Sequence, residues 1–81
     1  MTPQMPGDDP GRQEIDGAGL RQRLADVASS IACTEDQVAD TMERLALALP
    51  HDAERLRAHA ARARRYATVE RDRAAALSVP R

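Results

Sequence analysis

Residues 53–77 read AERLRAHAARARRYATVERDRAAAL, and they carry the clearest structural pattern of the chain. Small or apolar residues recur there at alternating spacings of three and four, at Ala53, Leu56, Ala60, Ala63, Ala67, Glu70, Ala74 and Leu77. This spacing is a heptad repeat, which predicts a long α-helix whose seam packs against another helix. Because most of the seam is alanine, the partner helix must approach closely, and each position contributes little apolar area.

The composition limits the class of protein. With 81 residues the chain has room for one small domain, which is marginally stable unless an oligomer or a crosslink supports it. Tyr66 is the only aromatic residue, so aliphatic side chains and alanine must build the core. A lone cysteine and the lack of a long apolar run predict a cytoplasmic protein. Arginine supplies every basic residue and alanine is abundant, which indicates a GC-rich bacterial genome.

Charge is distributed unevenly along the chain. The net charge is -1, but residues 1–50 carry nine acids against four arginines, whereas residues 51–81 carry eight arginines against four acids. The net charge of -1 by itself argues against a protein that coats nucleic acid without sequence preference. The uneven distribution predicts that the two halves attract each other, within one molecule or between copies.

The chain divides into a tail and one helical domain. Residues 1–17 combine three prolines, three glycines and several acids, a composition that predicts a disordered tail. Residues 18–81 form the predicted domain. Its first helix, residues 18–32, has an apolar stripe at Leu20, Leu24, Val27 and Ile31. Its second, residues 34–49, has a matching stripe at Val38, Met42, Leu45 and Leu49.

Local signals place the predicted helix boundaries. A turn is expected at Ala32 and Cys33, because Thr34 and Gln37 form a capping-box pattern at the start of a helix. Pro50 ends the second helix or begins the third. The expected fold is therefore all-α, with three helices: a helical hairpin packed on a long C-terminal helix at residues 52–77.

Helix lengths predict an exposed surface on the third helix. At about 1.5 Å per residue it spans roughly 39 Å, whereas the first two helices reach only about 22 Å, so its C-terminal part overhangs the hairpin. An uncovered overhang of this kind frays in water, which predicts a homodimer. The residues expected to bind the partner are Ala60, Ala63, Tyr66, Ala67, Val69, Glu70, Ala74 and Leu77.

Residues 24–41 resemble the helix-turn-helix motif of DNA-binding proteins. Val27, Ala28, Ile31, Ala32, Cys33 and Val38 fall where that motif has its apolar core and its small residue for close packing. Ala32 replaces the usual turn glycine, and Thr41 replaces the usual valine or isoleucine. The helix that would read DNA opens with Glu35 and Asp36, which the DNA backbone would repel. A tight helical corner explains the same packing without DNA.

Arginines on the third helix offer a second route to an anionic partner. The candidate anion-binding residues flank the alanine seam and Tyr66, and they are Arg57, Arg62, Arg64, Arg65 and Arg71. Such a stripe can clamp phosphates. Arginines beside a seam also commonly cover apolar surface and pair with acids across an interface.

No catalytic or metal-binding signature appears in the sequence. His51 and His59 lack further ligands at a suitable spacing, and Cys33 is expected to be a buried structural thiol. The predicted function is a non-enzymatic helical interaction module, an adaptor or regulator without a cofactor. It would associate with itself or with another helical protein through the C-terminal helix. The alternative is a nucleic-acid-binding transcriptional regulator, and no membrane association is expected.

Overall fold

Two antiparallel helices make up the fold. The computed structural model describes the backbone of residues 10–78 and the side chains of residues 17–78. Helix α1 spans Pro10–Ala48, a short 3-10 turn spans Pro50–Asp52, and α2 spans Ala53–Ser78. The predicted all-α class is confirmed over this range. Residues 1–9 of the predicted tail lie outside the described residues, and α1 begins within the rest of that segment, at Pro10.

The predicted turn at Ala32 and Cys33 does not form, and the division into three helices is wrong. Helix α1 continues through this point for 39 residues in all. Residues 20–49 contain neither glycine nor proline, so nothing in the backbone interrupts it. The heptad of α1 also keeps its phase across the predicted turn, at positions 25, 28, 32, 35, 39, 42 and 46. A turn would have broken that phase.

The only turn between the two described helices is set by Pro50. The residue before a proline is disfavoured in the α region, and Leu49 accordingly adopts φ -125 and ψ 79. The Leu49 amide still donates to the Leu45 carbonyl at 2.8 Å, which closes the last turn of α1. The Asp52 amide donates to the Leu49 carbonyl at 3.0 Å and so begins the next turn. The predicted break at Pro50 is confirmed.

Alanine forms the contact between the helices. We call this contact the alanine seam: Ala25, Ala28, Ala32, Ala39 and Ala46 of α1, with Ala60, Ala63, Ala67 and Ala74 of α2, all buried. Ala39 packs with Ala60 and Ala63, and Met42 lies partly buried beside them. Alanine on both sides lets the two backbones approach to the short end of the usual 8–10 Å range of interaxial distances. Leu56 is also buried, near the turn.

Most of the larger apolar residues of α1 are exposed, contrary to the inward stripes that the sequence predicts, although Met42 packs partly buried against the seam. Leu24 is 46% exposed and Val27 is 55% exposed, whereas their neighbours Ala25 and Ala28 are each 2% exposed. Two apolar stripes run side by side on α1, one residue apart. The alanine stripe faces inward because only small side chains allow close contact with the alanines of α2.

The predicted overhang of the C-terminal helix is also absent. Because α1 does not stop at Ala32, it covers α2 along its length, and Leu77 near the end of α2 lines a hollow together with Leu24. Instead, α1 extends beyond the end of α2. From Leu24 back to Pro10 there are about 21 Å of helix at 1.5 Å per residue.

Proline at position 35 distinguishes a continuous helix from a helical corner. If Thr34 capped a new helix, Glu35 would be its first residue, where proline is well tolerated. In the middle of α1, Glu35→Pro removes a backbone hydrogen bond and should cost about 3 kcal/mol or more. We expect circular dichroism to show a large loss of helix, with Glu35→Ala as the control. Equal helicity in the two variants would refute the continuous helix.

Close contact at the alanine seam makes it intolerant of larger residues. Ala39 is 0% exposed, so Ala39→Leu should force the helices apart and lower the free energy of unfolding by about 1–3 kcal/mol. Ala58→Leu places the same side chain at an exposed position of α2 and should change stability by less than about 0.5 kcal/mol. Urea unfolding measures both. Similar effects would argue against the close approach.

Candidate functional site

One side of the hairpin is held by ion pairs. Arg64 of α2 donates to Glu43 Oε1 at 2.5 Å and to Asp40 Oδ1 at 2.8 Å, and it lies 3.5 Å from Asp36 Oδ1. These hydrogen bonds to Glu43 and Asp40 raise the pKa of the Arg64 guanidinium above its ordinary value. Because α1 supplies three carboxylates at one point of α2, the contacts fix which stretch of α1 lies opposite Arg64.

A second arginine extends this side toward the end of α2. Arg71 donates to Asp36 Oδ2, so Asp36 is shared between Arg71 and Arg64. We call this side the ionic face: Asp36, Asp40, Glu43, Arg64 and Arg71. The predicted attraction between the acidic and the basic half of the chain operates here within one molecule.

The candidate anion-binding arginines do not form one patch. Arg64 and Arg71 are engaged on the ionic face. Arg62 lies on the opposite flank of α2, with its Nη2 atom 2.6 Å from His59 Nδ1. Arg57 lies seven residues before Arg64, on the same stripe of α2, and Arg65 is exposed on another side of the helix. At about 100° of rotation per residue, Arg57, Arg64 and Arg71 share one stripe, whereas Arg62 and Arg65 point to other sides of α2.

The side opposite the ionic face is apolar. On α1 every seventh residue from position 24 to 45 is a large aliphatic one, with Leu20 and Val27 beside this row. Tyr66 and Val69 extend the surface onto α2, and they are 50% and 53% exposed. We call this surface the apolar face: Leu20, Leu24, Val27, Ile31, Val38, Leu45, Tyr66 and Val69. Most of its side chains are more than one-third exposed.

A hollow lies at the middle of the apolar face. Its volume is about 640 Å³, and Tyr66 is the one lining residue from α2. The lining residues from α1 are Asp26, Val27, Ser30, Ile31, Thr34 and Glu35. A smaller hollow of about 280 Å³ lies nearer the end of α2 and includes Leu24 and Leu77. The face is therefore contoured, with projecting side chains next to depressions.

Glu70 is a buried acid in the alanine seam. It is 3% exposed, lines the smaller hollow, and forms an ion pair of 3.4 Å with Arg73 one turn later on the same helix. An exposed arginine compensates a buried carboxylate only in part. A single polar residue in a heptad seam commonly fixes register and partner choice at some cost in stability.

The predicted partner-binding residues fall into two groups. Ala60, Ala63, Ala67, Glu70 and Ala74 are buried between α1 and α2, so α1 of the same chain occupies the surface they form, and Leu77 is half-buried. Tyr66 and Val69 lie on the apolar face. The sequence prediction assigned the apolar stripes of α1 to the core and not to an outer surface. The row Leu24, Ile31, Val38 and Leu45, which repeats every seven residues beside the alanines, lies on the apolar face.

The remaining candidate side chains lie apart from the apolar face. Cys33 is exposed, not buried as expected, because it occupies the same continuous helix one residue beyond the buried Ala32.

Among the described residues, no three or more histidines, cysteines and acids are grouped so as to hold a metal ion. Neither of the helices in residues 10–78 combines the length and apolar character that crossing a bilayer requires.

Replacing Glu70 tests whether its buried charge lowers the stability of the hairpin. Glu70→Leu fills the same volume without a buried charge, and we expect it to raise the free energy of unfolding by about 1–4 kcal/mol. Glu70→Gln keeps the shape and polarity and serves as the control. Urea unfolding measures the gain. A stability loss in Glu70→Leu would show that the carboxylate, through Arg73, stabilises the hairpin.

Comparison of the chain with protein families, curated proteins and solved structures finds no match to any of the three.

Proposed function

We propose that this chain is a non-enzymatic helical interaction module, an adaptor or regulator in the bacterial cytoplasm, that docks another helical surface on its apolar face. The observation that carries the proposal is the exposure of that face: Val27, Tyr66 and Val69 are all at least half exposed while alanines fill the interior. Large contiguous apolar patches on small proteins commonly mark sites of association. No chemical step is assigned to the chain.

The arrangement of the apolar face suits a helical partner. Its main row follows α1 with the heptad spacing of a helix-packing seam, and Leu24, Ile31 and Val38 recur at equivalent positions. The hollow between this row and Tyr66 gives a partner side chain a place to insert. An amphipathic helix laid along this groove would bury its apolar residues at matching intervals.

Nucleic-acid binding remains the alternative function. It would use Arg57, Arg62 and Arg65, because Arg64 and Arg71 are already neutralised by the acids of α1. The same acids lie on the surface nearest those two arginines and would repel a phosphate backbone. The apolar face has no role in this alternative.

Selection from a displayed library of amphipathic helical peptides tests the docking function. The full chain is immobilised at low density so that copies do not meet on the surface. We expect enrichment of peptides with apolar residues at i, i+3, i+4 and i+7. Binding should fall about 30-fold or more for Val27→Glu, which places a charge in the proposed interface. Binding should be unchanged for Leu47→Glu, since Leu47 is 80% exposed outside the apolar face.

Two results would contradict the proposal. Peptides that bind wild type and both variants equally would place docking elsewhere on the chain. If no peptide is enriched, while mixed-sequence DNA or RNA binds with micromolar affinity that falls steeply with salt, the alternative function is correct.

A further inference from the structure

We infer that the natural occupant of the apolar face is a second copy of this chain, so that two hairpins form a four-helix bundle related by a two-fold axis. This inference rests on the proposed function, because it names the partner that the docking surface receives. The interface differs from the one that the sequence predicted, since α1 contributes most of it.

The side of the hairpin that carries the apolar face is large enough for the interface of a stable dimer. Helix α2 has 26 residues and is about 39 Å long. Two helices side by side, each about 10 Å wide, present a face about 20 Å across. The product is roughly 800 Å², which is what each partner contributes to an interface of standard size. Covering the face with one more hairpin of the same length therefore gives a complete interface.

The centre of the apolar face is complementary to itself. The large aliphatic row runs from Leu24 to Leu45, so its midpoint lies at Thr34 and Glu35. Tyr66 lies at the same level on α2, because it borders one hollow together with Ile31, Thr34 and Glu35. In a two-fold interface each contact is made twice, with the roles of the copies exchanged. An axis that lies in the interface and passes through this midpoint places the hollows of the two copies opposite each other, with Tyr66 of each copy beside them.

The charges on this side also suit self-association. Glu35 lines the larger hollow, and Glu70 and Arg73 line the smaller one. Arg62 lies one turn from Tyr66 on the same flank of α2. The surface thus carries both acids and arginines. A surface that carries both signs can place acids near arginines across a two-fold contact, whereas a surface of a single sign repels its own copy.

The mass of the full chain in solution tests this inference. Sedimentation equilibrium should give twice the 8.8 kDa mass of one chain for wild type and for Leu47→Glu. For Val27→Glu we expect the dimer dissociation constant to rise about 30-fold or more. Val27 is 55% exposed in the hairpin, so the substitution should leave the helices intact, and circular dichroism checks this.

Disulfide trapping tests the position of the two-fold axis. A thiol at position 34 should lie near its symmetry mate, whereas native Cys33 points away from the apolar face. Under mild oxidation the double variant Cys33→Ser, Thr34→Cys should give a covalent dimer in high yield, and the wild-type chain should not. Efficient crosslinking of wild type with none in the double variant would overturn the proposed axis.

The two proposals fail in different ways. A wild-type chain that remains monomeric up to millimolar concentration overturns the second-copy inference alone, if helical peptides still bind the apolar face. A dimer that Leu47→Glu disrupts and Val27→Glu leaves unchanged overturns the inference as well, because it places the interface on the other side of α1. If the chain is monomeric and no peptide binds, both proposals fail.

Discussion

Close contact between two rows of alanines is the interaction on which this structure depends. Nine alanines from α1 and α2 are buried along it, and no described side chain of large volume is fully buried. Each alanine contributes little area, so the stability of the contact comes from the continuous approach of two long backbones. The two helices must therefore be long to form a stable pair. Helix α1 has 39 residues and runs without interruption along the whole of α2.

The seam also explains how much of the fold could be predicted from the sequence. The heptad of α2, the all-α class and the break at Pro50 were all readable, because they follow from local spacing and backbone chemistry. The continuity of α1 was missed because Thr34 and Gln37 form a capping pattern that is equally compatible with a helix interior. The decisive signal was the unbroken heptad phase from Ala25 to Ala46, which extends more than two helical turns to either side of Thr34 and Gln37.

The candidate surface was harder to predict than the fold. The hydrophobic residues of α1 form two adjacent stripes, and hydrophobicity alone favours burial of the larger side chains. Which stripe faces inward depends on the partner helix, and α2 offers mainly alanine. On the ionic face, Arg64 and Arg71 of α2 form ion pairs with Asp36 of α1. These pairs connect the two helices on the side of the seam opposite the apolar face. Only the pairing of the two helices shows that Leu24 and Val27 remain exposed.

The separation of these two stripes has a consequence for the evolution of the chain. Alanines and the ionic face specify the hairpin, whereas Leu24, Val27, Val38 and Tyr66 contribute to the outer surface and little to the interior. Substitutions at the second set can alter the exposed surface while the first set preserves the architecture. The outer surface of such a chain is thus free to change in evolution without loss of the fold.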